Sequence, residues 1–312
     1  MAPHAPGEGS RGIPLEHVLG PARDRYFAAG YRGVRHTVDV VDAATDTRHA
    51  EGRVDYPARW SVGDGGHTRT AHLSSVDAIV LPLLVWQHTD ADRAAHDIVR
   101  SVALRAGNTP WTALDRVPIQ TTRASDGADV TLTSTVGNIR STITLTPCRT
   151  PGRAARALET SPRLVYGDLY RLIESQSALT HFDPVDRVIG SAHRAEAPSL
   201  AVDGVSGIEG AFWPALTAID YLVTMGQLTQ AVIFEVSRST RSMIDNLWMR
   251  TLHIALPETP TALPAQYRAA TRLIRDTTLN IGGRHVHDVR VESTASTGVV
   301  AGATLAYTEV SA

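Results

Sequence analysis

A fifteen-residue stretch that occurs twice in this sequence predicts an α+β double hotdog, two tandem repeats in which an antiparallel sheet wraps a central helix. The first copy runs from Leu73 to Gln87 and the second from Leu216 to Gln230, an ungapped offset of 143 residues. Leu, Asp, Val and Gln recur at the same places: Leu73/Leu216, Asp77/Asp220, Val80/Val223 and Gln87/Gln230. The offset is close to half of the 312 residues, so the chain reads as two copies of one fold, placed at residues 13–150 and 160–312. Each copy is apolar nearly all round, which marks a buried helix rather than an amphipathic surface one. Each is also too short and too interrupted to span a membrane. Both are followed by alternating segments separated by glycine turns, as consecutive antiparallel strands require.

Composition narrows the function classes. A net charge of −2, with 43% hydrophobic and 20% charged residues, argues against nucleic acid or an anionic membrane as partner. Cys148 is the only cysteine, so neither an intramolecular disulfide nor a Cys-based zinc site is expected. Met1 to Gly12 carries Pro and Gly where a signal peptide needs an apolar core, so a cytoplasmic location is expected. The Arg- and Ala-rich composition correlates with a high-GC bacterial genome. There is no Gly-x-Ser-x-Gly elbow, P-loop or dinucleotide fingerprint, which disfavours serine hydrolases, nucleotidases and Rossmann dehydrogenases.

In chain order, Ile13 to Leu19 suits a short helix, and Val34 to Val41 and Ala50 to Trp60 suit strands. Gly63 to Gly66 is a loop with His67 and His72 at its exit. After the first central helix, Ala91 to Arg105 is expected as a second helical segment. Ile119 to Thr122, Val130 to Thr133 and Ile139 to Leu145 read as strands, the last two joined by a Gly137-Asn138 hairpin turn. Pro147 to Pro162 reads as the linker between repeats. Leu164 to Gln176 fits helix and extended chain equally, and Arg187 to Glu196 is a strand. The second central helix is entered through Phe212-Trp213-Pro214. Four strands follow it: Asn246 to Leu256, Tyr267 to Asn280, Arg284 to Ser293 and Val299 to Val310, with Gly282-Gly283 as a hairpin turn.

The candidate site residues follow from polar groups in apolar surroundings. Ser74-x-x-Asp77 and Thr217-x-x-Asp220 both match a capping box, which is a structural role. Asp220 has more in its favour, because Thr217, Asp220, Thr224 and Gln227 form a polar stripe on an apolar helix. The corresponding line in the first copy is Ser74, Asp77, Leu81 and Leu84, so the second helix is expected to line the main site, with Gln227 needing no protein partner. His72, supplied from the facing loop, is the best partner for an acid–base step, ahead of His67. Alternation places Asn246, Trp248 and Arg250 on one strand face, with Arg250 or Arg32 available to an anionic group. His285 and His287 share a strand face but no third ligand accompanies them, so no metal and no cofactor is expected.

Several of these segments carry a resemblance that spans almost the whole chain. Leu19-Gly20-Pro21, Arg25-Tyr26-Phe27, Gly30-Tyr31-Arg32, His72 to Ala78, Pro214 to Asp220, Gln227 to Gln230 and Asn246 to Arg250 resemble the avirulence D (AvrD) family, in the same order. The resemblance implies an enzyme of small-molecule signal biosynthesis, of the kind associated with syringolides. It also implies a mechanistic relation to the AfsA-type hotdog enzymes of A-factor biosynthesis, which join a β-ketoacyl group to a hydroxylated three-carbon phosphate.

The resulting expectation is an acyltransferase joining a β-ketoacyl thioester, on coenzyme A or acyl carrier protein, to a sugar or polyol hydroxyl. His72, Asp220 and Gln227 are expected in catalysis, and Thr217, Arg250, Trp248, Asn246 and Arg32 in substrate binding. A hotdog dehydratase or thioesterase and a non-catalytic acyl-ligand binding protein are the alternatives, and a homodimer stays open.

Overall fold

The computed structural model describes residues 12–43, 46–63, 66–148, 163–198, 204–240, 243–244 and 247–309. The predicted linker lies almost wholly outside the described residues, as does Asn246. The first half holds strands β1 (Arg35–Asp42) and β2 (Thr47–Asp55), helix α1 (Ser75–Thr89), and strands β3 (Asp97–Arg105), β4 (Val117–Asp126), β5 (Asp129–Val136) and β6 (Ile139–Pro147). The second half holds β7 (Glu174–Asp183), β8 (Val188–Glu196), helix α2 (Ala218–Ser237), β9 (Trp248–Ala255), β10 (Ala265–Ile281), β11 (Arg284–Ala295) and β12 (Val300–Thr308).

These twelve strands, with Ile13–Pro14 paired to the edge of β7, form one antiparallel sheet. Its order in the first half is β1-β2-β4-β5-β6-β3, and in the second β7-β8-β10-β11-β12-β9. The halves meet where β9 pairs with β3, in the register Thr251↔Arg105 to Ala255↔Ser101. The large antiparallel sheet packed around long central helices fits the hotdog fold. No helix among the described residues is long and apolar enough to cross a membrane.

Alternation builds the core as strand geometry dictates. In β2, Arg48, Ala50, Gly52 and Val54 are buried while Thr47, His49, Glu51, Arg53 and Asp55 are not. Helix α1 is buried from Ser75 to Gln87, matching its all-round apolar sequence. Gly282 and Gly283 take φ of 59° and 79°, the left-handed pair that lets β10 turn directly into β11.

Two expectations are corrected. Ala91 to Arg105 is only briefly helical, over Ala91–Ala94, and then becomes β3. Ile98, Val99, Val102 and Leu104 are buried there, and pairing with β6 and β9 overrides a pattern that local sequence leaves ambiguous. The chain between Ile13 and Leu19 is split between the edge pair Ile13–Pro14 and a single turn at Glu16–Leu19. The undecided segment after Leu164 resolves into a 3-10 turn, Leu169–Leu172, and strand β7.

A second sequence echo accompanies the helices. Tyr31-Arg32 lies in the 3-10 turn Gly30–Gly33 ahead of β1, and Tyr170-Arg171 in the turn ahead of β7. The two buried tyrosine rings stack on one another, with centroids 6.4 Å apart and planes 16° apart. The Gly30 turn packs so closely on the loop after β2 that a Cβ at Gly30 would lie 1.9 Å from the Trp60 carbonyl oxygen. Gly30→Ala should therefore destabilise by about 2 kcal/mol or more, the range of a substitution that forces backbone apart. A urea titration that finds a loss under about 0.5 kcal/mol would show that this contact yields freely.

Candidate functional site

Both helices begin with a complete capping box. Ser74 accepts from the Asp77 N–H while Asp77 Oδ2 accepts from the Ser74 N–H, and Thr217 and Asp220 repeat the pattern. The surroundings of the two acids differ. Asp77 is wholly buried, and its Oδ1 meets His36 Nε2 at 2.7 Å. Its Oδ2 accepts from the Tyr56 hydroxyl at 2.6 Å and from the Ser74 N–H at 2.7 Å. Asp77 thus joins β1, the end of β2 and the start of α1, which is more than a cap does. Sequence spacing gives no sign of His36 or Tyr56, because their link to Asp77 is purely tertiary.

Asp220 accepts from the Thr217 N–H at 2.8 Å and from the Thr217 hydroxyl at 2.7 Å. Burial raises its pKa to about 6 despite those bonds and the Arg32 charge, which pull the other way. Nearby, Glu209 takes the Val99 N–H at 3.1 Å and the Tyr166 hydroxyl at 2.9 Å. Burial raises its pKa to about 7. The Tyr166 oxygen also accepts from the Ala218 N–H at 3.3 Å, so this carboxyl–phenol pair closes over the start of α2.

A cavity of about 210 Å³ lies between the halves. Its buried apolar lining includes Leu222 and Met225 of α2, Leu252 of β9 and Val291 of β11. Partly exposed His72, Trp111, Asn138 and Trp248 line it as well and mark its mouth. Ser74, Tyr26 and Arg25 join them from the first half. All three indole N–H groups at the cavity are spent on backbone carbonyls: Trp60 on Arg69 at 2.9 Å, Trp111 on Ala113 at 3.0 Å and Trp248 on Gly107 at 3.2 Å. These rings therefore present apolar surface rather than donors. His72 packs against Trp60 and Trp248, with ring centroids 5.7 and 5.8 Å away. Its Nδ1 lies 3.1 Å from the Thr70 carbonyl oxygen, which only accepts. Neutral His72 is thereby held as the Nδ1–H tautomer, and Nε2 keeps its lone pair.

The structure brings His72, Gln227 and Trp248 to one cavity, whereas Asp220, Thr217, Arg32 and Arg250 are not among its lining residues. The polar stripe on α2 resolves into separate pairings. Thr217 and Asp220 bond each other, Thr224 meets Tyr267 at 3.0 Å, and Gln227 Oε1 accepts from Arg25 Nη1 at 2.8 Å. Gln227 therefore has the protein partner that the sequence expectation denied it. Arg32 reaches Tyr31 at 3.5 Å and acts on Asp220. Alternation at Trp248 and Arg250 fails because a bulge shifts the register between Met249 and Thr251. Arg250 is left exposed, 3.4 Å from Asn108 Oδ1. His287 is paired with Asp276 at 3.0 Å, and no three metal-ligating side chains come together among the described residues. Arg25 and Tyr26 line the cavity, whereas the sequence expectation takes Arg32 from the same N-terminal segment.

The family model described as Pseudomonas avirulence D protein (AvrD) matches residues 14–299. No curated protein matches the sequence. Among solved structures, the chain is similar to a tesB protein of Mycobacterium avium subsp. paratuberculosis, with 11% identity, 88% of this chain and 96% of that one covered, and a TM-score of 0.43. It is similar to the 12:0-ACP thioesterase from Umbellularia californica, with 12% identity, 89% and 98% coverage and a TM-score of 0.41. It is also similar to the dehydratase domain from the CurJ module of the curacin polyketide synthase, with 11% identity, 87% and 96% coverage and a TM-score of 0.39.

Two stability predictions follow from these contacts. Gln227→Leu removes the acceptor of a buried Arg25 N–H and should cost about 1–3 kcal/mol, read from urea midpoints; unchanged stability would show that the bond is not formed in solution. Glu209, with a raised folded-state pKa, favours the fold when protonated and loses that contribution as pH rises from about 4 through about 7. Glu209→Gln removes the ionisation, so wild type should lose stability relative to the variant between about pH 5 and about pH 8. Parallel pH profiles of the two proteins would show that Glu209 does not titrate in that window.

Proposed function

The chain belongs to the AvrD family, whose model covers residues 14–299, and we propose that it is an acyltransferase joining a β-ketoacyl thioester to a sugar or polyol hydroxyl. We read its halves, residues 13–150 and 160–312, as two hotdog repeats with the reaction at the cavity between them. The observation that carries this reading is His72: a histidine with its lone-pair nitrogen fixed as Nε2, at the mouth of an apolar cavity.

In this reading the acyl chain lies among Leu222, Met225 and Leu252, and the acceptor sits at the mouth against the indole faces. His72 Nε2 takes the proton of the attacking hydroxyl. The oxygen adds to the thioester carbonyl, and the oxyanion forms near the first turn of α1, where the Ser75 and Val76 N–H groups lie outside the capping box. Collapse breaks the carbon–sulfur bond, and protonated His72 returns its proton to the departing thiolate. The products are an ester and a free thiol, on coenzyme A or a carrier protein. An intramolecular carbon–carbon condensation can then follow without further protein chemistry. Gln227, held by Arg25, and Trp248 shape the acceptor side.

Among the other candidates, Asp220 has a positioning role here, because its Oδ2 is taken up by Thr217 and it is not among the cavity's lining residues. Incubating the protein with a β-ketoacyl thioester, with and without sugar acceptors, tests the proposal. A sugar ester should form with wild type and fall about 10²–10⁴-fold in His72→Gln, the range of general acid–base catalysis. Asp220→Asn should retain most of the rate per folded molecule. Free acid as the sole product would favour a thioesterase, an enoyl product from the hydroxyacyl thioester a dehydratase, and binding without turnover a non-catalytic acyl-ligand protein.

A further inference from the structure

The two capping boxes differ in where the cap hydroxyl sends its proton. A serine or threonine hydroxyl accepts twice and donates once. In the second half, Thr217 Oγ1 gives its proton to Asp220 Oδ2 at 2.7 Å. In the first half, the Asp77 carboxylate is approached instead by His36, Tyr56 and the Ser74 N–H. Ser74 Oγ faces the Asp77 N–H at 3.3 Å and the Tyr26 hydroxyl at 2.6 Å, with the Tyr56 hydroxyl also within reach.

Either hydroxyl can donate in the Tyr26–Ser74 bond. Burial, reinforced by the Asp77 charge, pushes the Tyr26 phenol well above its ordinary range, so it keeps its proton. In one of the two arrangements Tyr26 donates that proton to Ser74 Oγ, which it meets at 2.6 Å. With the Asp77 N–H on the other lone pair, both acceptor positions of Ser74 are filled. In that arrangement the Ser74 proton is left over, and Ser74 and Tyr26 both line the cavity. Thr217, whose proton is consumed internally, is buried and is not among the lining residues.

We propose that Ser74 is a carbonyl-binding residue of the cavity: its hydroxyl donates to the oxygen of the thioester carbonyl and to the oxyanion formed there, with Tyr26 as the positioning residue that fixes the donor direction. The inference rests on the acyl-thioester reading of the cavity and adds to it a side-chain donor supplied by the first repeat. No covalent bond to Ser74 is made; the hydroxyl is more strongly bonded as negative charge develops on the oxygen, which is the condition for accelerating the step.

The test separates this role from capping. Ser74→Thr keeps both functions. Ser74→Gly keeps a serviceable cap, since glycine at that position is only slightly worse than serine, but removes the donor. The probe is the ketone analogue of a β-ketoacyl thioester with CH₂ in place of sulfur and ¹³C at that carbonyl, followed by isotope-edited infrared spectroscopy on the full-length protein. The carbonyl band should move to lower wavenumber on binding to wild type and Ser74→Thr, and return toward its solution position in Ser74→Gly. Acyl transfer should fall about 10²–10³-fold in kcat for Ser74→Gly, the range for one oxyanion donor, with KM little changed. Tyr26→Phe should give a smaller loss, because the hydroxyl remains but is no longer oriented. If Ser74→Gly binds the analogue with the wild-type band, the assignment of Ser74 is overturned while the acyl-thioester reading stands. If wild type does not bind the analogue, that reading is overturned and this inference with it.

Discussion

The carboxylate of Asp77 has no exposed surface. An ionised carboxylate in that position opposes folding unless donors meet it, and removing one donor leaves a charge uncompensated. The chain answers with His36 from β1, Tyr56 from the end of β2 and the first N–H of α1's own box. Satisfying one group therefore fixes how the edge strand and the following loop sit against the central helix. The loop that leaves Tyr56 carries Trp60 to the Gly30 turn, and it then delivers His72 and Ser74 to the cavity. The position of the polar wall is thus a consequence of burying an acid at the start of an apolar helix.

The second helix solves the same problem by a shorter route. Thr217 satisfies Asp220 with both its N–H and its hydroxyl, so few outside groups are needed. The start of α2 can then be closed over by Tyr166 and Glu209, and it is. The tyrosines ahead of the first long strand of each half stack on each other, and the charge of Asp220 acts on Tyr31 while that of Asp77 acts on Tyr170. Each tyrosine therefore faces the other half's acid. The two capping boxes look alike in sequence yet differ in what meets the cap hydroxyl, the Asp220 carboxylate for Thr217 and the Tyr26 phenol for Ser74.

Much of the fold was legible because it rests on local pattern. The all-round apolar stretches, the capping boxes and the glycine hairpin turns each have a physical signature within a few residues. The 91–105 segment was misread because short apolar runs fit helix and strand alike, and only the partners β6 and β9 decide. The Tyr-Arg echo escaped because it repeats at an offset of 139 rather than 143 residues, so no single ungapped alignment contains both. The lining of the candidate site was legible only in part. His72 stood out as a histidine before a buried helix, and Gln227 as an amide on an apolar one. Arg25 and His36 did not, since nothing in their neighbourhoods announces a partner 202 or 41 residues away. A polar stripe at helical spacing shows that partners are required, not that they are shared, and on α2 each polar residue found its own.

The division of labour across the seam bears on why the two halves are joined in one chain. His72, Ser74 and Tyr26 come from the first half, and Met225, Gln227, Trp248 and Val291 from the second. Arg25 crosses from one to the other to hold Gln227. Close approach at the crossing depends on Gly226, where a Cβ would lie 2.8 Å from the Phe27 ring. A side chain there would drive the N-terminal segment away from α2 and take Arg25 and Tyr26 with it. Neither half alone encloses the cavity, and two identical halves would place a serine or a threonine proton alike on both sides. If the halves are tandem repeats, as proposed, their divergence seals one helix start with Tyr166 and Glu209 and leaves the hydroxyl of the other at the cavity.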